Sequence, residues 1–153
     1  MKKIKFFVLL IISLPVIIVL INILDKDVWD ENARLLKQEI VAIDESVETV
    51  DLKNITPFEW DVVYSFDPYT PKEEIYEQVG YKWDSISETV NEGMNQIVFM
   101  KDGKVVCYVY GYPSNNGFGI SFKPSSLHED NNLQFRVSSN EGVTYLVRSG
   151  EPS

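Results

Sequence analysis

One cysteine, one histidine and little positive charge mark this 153-residue chain, and each scarcity closes off a class of function. The lone cysteine, Cys107, cannot form an intrachain disulfide, so a folded domain must be held by its core. Zinc sites draw on several cysteines and histidines, and this chain has one of each. A catalytic thiolate needs an activating histidine or cation beside it. Cys107 lies between Val106 and Tyr108, where a small buried hydrophobe is the plainer reading. The histidine, His128, belongs to a polar stretch that suits an exposed imidazole. No G-x-S-x-G, S-x-x-K or glycine-rich phosphate loop occurs. His128-Glu129-Asp130-Asn131-Asn132 and Asp25-Lys26-Asp27 are rich in oxygen ligands but lack EF-hand spacing, so solvated loops are expected. With 23 acidic against 14 basic residues, the balance argues against nucleic acid, which rewards dense lysine and arginine. No catalytic residue, cofactor or metal ligand is assigned.

What the chain does have is a long apolar run. Met1-Lys2-Lys3-Ile4-Lys5 precedes Phe6 to Leu24, nineteen residues interrupted only by Ser13, Pro15 and Asn22 and free of ionisable groups. As a helix rising about 1.5 Å per residue it spans roughly 28 Å, close to the hydrocarbon thickness of a bilayer. A cleaved signal peptide is the competing reading. Signal h-regions run about 7–15 residues into a small-residue cleavage site, and Ile21-Asn22-Ile23-Leu24-Asp25-Lys26-Asp27 has no such pattern. The basic start favours a cytoplasmic N-terminus. All 23 acidic groups follow residue 24. The expected organisation is a single-pass transmembrane anchor in residues 1–24, touching the lipid bilayer through residues 6–24, and an extracytoplasmic domain over residues 25–150. That length suits one hydrophobic core.

Within the outer domain, Trp29, Ala33, Leu36, Ile40, Ile43 and Val47 recur at steps of four and three, the stripe of a juxtamembrane helix. The stripe packs on its own domain or, alternatively, mediates self-association. Phe58, Trp60, Val62, Tyr64 and Phe66 alternate with a mostly polar set, which predicts a strand with one buried face and a core role for Trp60. Thr70-Pro71-Lys72-Glu73 reads as a capping box opening a helix that Gly80 stops. Ser85-x-x-Glu88 hints at a second short helix. Strands are then expected at 96–100 and 104–112 around Asp102-Gly103, at 118–122, and on both sides of Asn140-Glu141-Gly142. The fold class is α+β: a transmembrane helix, a juxtamembrane helix, and an antiparallel meander of five to six strands with one short helix on one face.

The spacing from Ile55-Thr56-Pro57-Phe58-Glu59-Trp60-Asp61 through Asp67-Pro68-Tyr69-Thr70-Pro71 resembles a pattern in small exported proteins of Gram-positive bacteria. That resemblance covers residues 55–112 at most. It implies an anchored or lipoprotein-like domain outside the cell and assigns no catalytic residues. Thr70-Pro71-Lys72-Glu73-Glu74 with Gly80, followed by strands, is similar to small assembly-factor lipoproteins of outer membranes. The chain departs from these in lacking a lipidated cysteine and in placing a strand before the helix.

Tyr108, Tyr110 and Tyr112 share one face of a strand whose other face carries Val105, Cys107, Val109 and Gly111. The tyrosines form either a second core layer or a partner-binding patch, since a tyrosine ring buries area while its hydroxyl tolerates water. The functional expectation is a membrane-anchored, non-enzymatic protein that binds another envelope protein, in an accessory or immunity-like role. The rivals are a wall-directed hydrolase with dispersed carboxylates and a self-assembling homo-oligomer.

Overall fold

Residues 28–148 are described by a computed structural model. The anchor expected over residues 6–24 lies outside the described residues. Among the described residues, no helix is long and apolar enough to cross a membrane.

The domain is α+β and has two sheets. Helix α1 (28–41) obeys the predicted stripe, with Leu36 and Ile40 fully buried and Ala33 packed beside them. It ends before Ile43 and Val47. After β1 (Thr49–Asp51) and one helical turn, α2 (Leu52–Ile55), come β2 (Val62–Ser65) and α3 (Lys72–Val79). The hairpin β3 (Asn95–Lys101) and β4 (Lys104–Gly111) follows, then a single turn, α4 (Pro113–Asn116). Strands β5 (Phe118–Phe122), β6 (Ser126–His128), β7 (Gln134–Asn140) and β8 (Val143–Arg148) complete the chain.

The first sheet runs β1-β7-β8-β5 and the second β4-β3-β2-β6. They pack face to face through Val63, Ile97, Phe99, Cys107 and Val109 on one side and Phe118, Ile120, Phe122, Phe135 and Leu146 on the other. The second sheet is buried again on its outer face. There Val98, Met100 and Tyr108 meet Ile75 and Val79 of α3 and Ile86 of the following segment.

This double burial corrects the expected single meander. A sheet that is apolar on both faces needs two covers, and α3 is only eight residues long. Strands β5, β7 and β8 therefore leave the meander and, with β1, form the second cover, while β6 stays in the β4-β3-β2-β6 sheet beside β2. One of their pairings, β5 with β8, is parallel. The helix-then-meander plan implied by the lipoprotein resemblance is departed from at the same point.

The strand around Trp60 is corrected too. Only residues 62–65 are extended in the ladder, and Val63 faces the inter-sheet core while Val62, Tyr64 and Phe66 face the outer one. Trp60 therefore joins a different core from Val62. In β4 the alternation slips at a bulge: Met100 pairs with Val105 and Phe99 with Cys107, leaving Val106 as the extra residue. Val105 is thereby turned to the tyrosine side and Val106 to the inter-sheet side.

The α3 N-terminus differs from the expected capping box. Its N-cap is Pro71, and the Thr70 hydroxyl instead donates to the Asp67 carbonyl at 2.7 Å. The Lys72 N–H is met by a Glu88 carboxylate oxygen at 3.3 Å. Gly80 does stop the helix in the left-handed conformation, φ 88°. Residues 81–90 contain no second helix.

Two Asp-Gly-type turns form as expected. Asp102 and Gly103 have φ 49° and 71°, and Glu141 and Gly142 have φ 51° and 78°, the positive pairs that suit twisted hairpins.

Trp60 is 3 % exposed, lies edge-on to Phe99 at 5.5 Å, and donates from Nε1 to the Thr56 hydroxyl at 2.9 Å. Trp60→Ala should cost about 3–5 kcal/mol in a denaturant melt. Glu59→Ala, at an exposed position, should change the same melt little.

Candidate functional site

The tyrosine strand is the centre of an unusual arrangement. Tyr108 is 7 % exposed. Its hydroxyl accepts from the Ser87 N–H at 3.1 Å and from Gln96 Nε2 at 3.0 Å. Gln96 Nε2 also donates to the Ser87 carbonyl at 2.6 Å, while the buried Gln96 Oε1 has no hydrogen-bond partner. The half-buried Tyr110 donates its hydroxyl to the Glu88 carbonyl at 2.7 Å. The irregular segment after α3 thus replaces its missing backbone ladder with bonds to strand side chains. Tyr108 and Tyr110 are a second core layer, covered by that segment and by Trp29 of α1. Tyr112 is different: it is the N-cap of α4 and is 36 % exposed.

Helix α1 runs alongside β4, and each end of it carries a candidate surface. At its start, a groove of about 740 Å³ is lined by Val28, Trp29, Tyr81, Trp83 and the β3–β4 turn. Trp29 and Trp83 meet edge-to-face at 5.1 Å, and both contact Tyr108, at 6.1 and 5.3 Å. Tyr81 fixes the wall of the groove by accepting the Val105 N–H at 3.0 Å. The Val106 carbonyl, from the bulged residue, accepts Asn32 Nδ2 at 2.8 Å and so pins α1 to the edge strand. The groove's ionic groups are Lys82, Asp84 and Lys104.

At the other end of α1, Val41 is 50 % exposed beside Lys37, Gln38 and Ala42. It lies against Gly117, at the end of α4, where an added Cβ would stand 3.6 Å from it. Tyr112 opens the same one-turn helix, so two exposed apolar side chains flank α4.

The residues that carry reactive groups are not assembled. Cys107 is fully buried, and burial pushes its thiol pKa well above the ordinary value. His128 is exposed on β6, at the opposite edge of a β4-β3-β2-β6 sheet. Three strand spacings of about 4.8 Å separate the two strands by roughly 14 Å. Among the described residues, no group of three or more Cys, His, Asp or Glu side chains could hold a metal. In the acidic loop, Asn131 Oδ1 accepts the His128 N–H and closes a local turn. Asp25-Lys26-Asp27 lies outside the described residues. No sequence pattern signals the groove, because Trp29 lies about fifty residues before the Tyr81-Lys82-Trp83 segment that it meets.

Compared with models of protein families, curated proteins and solved structures, the chain matches none.

Asp61 holds the turn that borders the groove. Its carboxylate accepts Lys101 Nζ and the Asp102 N–H, each at 2.6 Å. The bond from Lys101, then that from Asp102, lowers its pKa from the ordinary 3.8. A carboxyl depressed in the folded state stabilises above its unfolded pKa and loses that contribution as pH falls through the folded one. Asp61→Asn should lower the melting temperature at neutral pH. The dependence of its melting temperature on pH should also flatten in the acid range, where the wild type declines as pH falls through and below the ordinary carboxylate value.

Proposed function

We propose that the chain is a membrane-anchored, extracytoplasmic protein that acts by binding another envelope protein, with its N-terminus in the cytoplasm. The carrying observation is the exposed Val41 beside Arg34 and Lys37, packed against Gly117 at one end of α4, while the exposed Tyr112 opens the other end of that turn. Tyrosine and arginine with an exposed aliphatic neighbour are the residue types that anchor protein interfaces. The surface lies at the end of α1 furthest from the expected anchor. Thirteen helical steps of about 1.5 Å separate it from Val28 by roughly 20 Å along α1.

Two further features weigh against the rival readings, one against catalysis and one against self-association. The groove at the start of α1 is lined by a single carboxylate, Asp84, whereas glycoside hydrolysis uses a facing pair. The self-association stripe of α1 is spent inside its own domain through Leu36 and Ile40.

The test is crosslinking of the full chain in its own membrane, comparing wild type with Val41→Asp/Tyr112→Ser. The double variant should keep its melting temperature, because both positions are exposed. It should lose the crosslinked partner, as an anchor worth about 2 kcal/mol weakens binding roughly 30-fold. Undiminished crosslinking by a folded double variant would refute the assignment.

A further inference from the structure

The groove at the start of α1 is a poor match for a catalytic cleft, and covalent geometry restricts what can cover it. The apolar run ends at Leu24 and the groove begins at Val28, four residues later. A fully extended chain covers at most about 3.6 Å per residue, so Val28 lies within roughly 14 Å of the end of the span. The polar layer on each side of a bilayer is itself about 5–8 Å deep. Whatever the orientation of the domain, this end of it stands at or beside the headgroups.

The side chains exposed there are the types that partition to such an interface. Val28 is 42 % and Tyr81 36 % exposed, and Trp29 and Trp83 are half-buried between them. Tryptophan and tyrosine concentrate at the membrane–water boundary, where an apolar ring meets a wet polar edge. The charged rim, Lys82 and Lys104 with Asp84, nearly balances. The domain as a whole is acidic, so attraction to anionic lipid is not what would hold it.

We propose that this face docks on the outer surface of the bilayer, with Val28, Tyr81 and Trp83 entering the headgroup layer and fixing the domain's orientation. The inference rests on the retained anchor proposed above. Docking by rings predicts weak dependence on salt, since screening acts on charge.

The chain has three tryptophans, and Trp60 is sealed in the inter-sheet core. Full-length protein would be reconstituted into protein-free vesicles of phosphatidylcholine and phosphatidylglycerol, with and without bromine on the acyl chain just below the headgroup. Trp29 stands close to the anchor whatever the domain does, so the informative sample is Trp29→Phe, in which Trp83 reports. Its emission should fall roughly two-fold in brominated vesicles, equally at low and high salt, as expected for an interfacial ring. Trp29→Phe/Trp83→Phe, retaining only Trp60, should show no loss. Should that pair unfold, Val28→Asp added to Trp29→Phe provides a second reading, because an exposed substitution leaves the core intact and should diminish the quenching of Trp83. Quenching confined to Trp29 would mean that the tether alone brings lipid near, and would overturn the docking. Equal emission in both vesicle types would overturn it as well and leave this face to a protein partner. Flotation at alkaline pH separates the two failures. A chain that fails to float refutes the anchor, whereas one that floats with Trp83 unquenched refutes only the docking.

Discussion

The structure depends on the burial of β3 on both faces. Gln96 to Met100 are all buried, with Ile97 and Phe99 turned toward the other sheet and Val98 and Met100 toward α3. A strand with two apolar faces cannot border water, so it must be central and its sheet must be roofed twice. One roof is a second sheet. The other is a short helix completed by an irregular segment. Helix α1 closes the side where β4 would otherwise present an open edge. It sends Trp29 to the outer core and Leu36 and Ile40 to the inner one. A single helix thereby couples two cores that share only one sheet.

Local chemistry was legible in the sequence wherever it decided the conformation alone. The Asp-Gly turn and the Gly80 stop each follow from a few adjacent residues and stand where the pattern places them, and the α1 stripe holds from Ala33 through Ile40, the helix ending before Ile43 and Val47. What the pattern could not carry was long-range competition. The Thr70 hydroxyl bonds the Asp67 carbonyl instead of capping the helix, and the Lys72 N–H in the first turn is met by Glu88, sixteen residues further on. The bulge at Val106 flips the facing of Val105, and one extra residue leaves no sign in an apolar run. β6 escapes notice because only Leu127 in its three residues is apolar, and the pairing partner β2 decides that it is a strand.

Period two in the segment from Phe58 to Phe66 suggested one wet face because its alternate positions are mostly polar. Val63 is the exception, and it is the fully buried residue of β2. A similar conflict was visible in the tyrosine strand, where both faces were too apolar for a half-wet sheet. There the structure divides what the sequence presented as one stripe. Tyr108 and Tyr110 tie down Ser87 and Glu88 through their hydroxyls, while Tyr112, past the end of the strand, belongs to the surface. Of the two surfaces, only the Tyr112 part was accessible to sequence reasoning. The groove is made by the convergence of α1, the post-α3 segment and the β3–β4 turn, none of which signals the others.

On the proposed reading, the two ends of α1 have opposite neighbours. Stable interfaces between freely diffusing partners bury about 1,200–2,000 Å² in total. An anchored protein does not need such an area. Confinement to one membrane turns the encounter into a nearly intramolecular event, and effective concentrations in the millimolar range make weak contacts sufficient. Fixing the orientation of the domain adds to this by removing rotational freedom that would otherwise be lost on binding. The rigidity needed to transmit an orientation from the groove to the far end is supplied by α1. Pinned to β4 through Asn32 and buried along its inner stripe, it has no hinge between Trp29 and Val41.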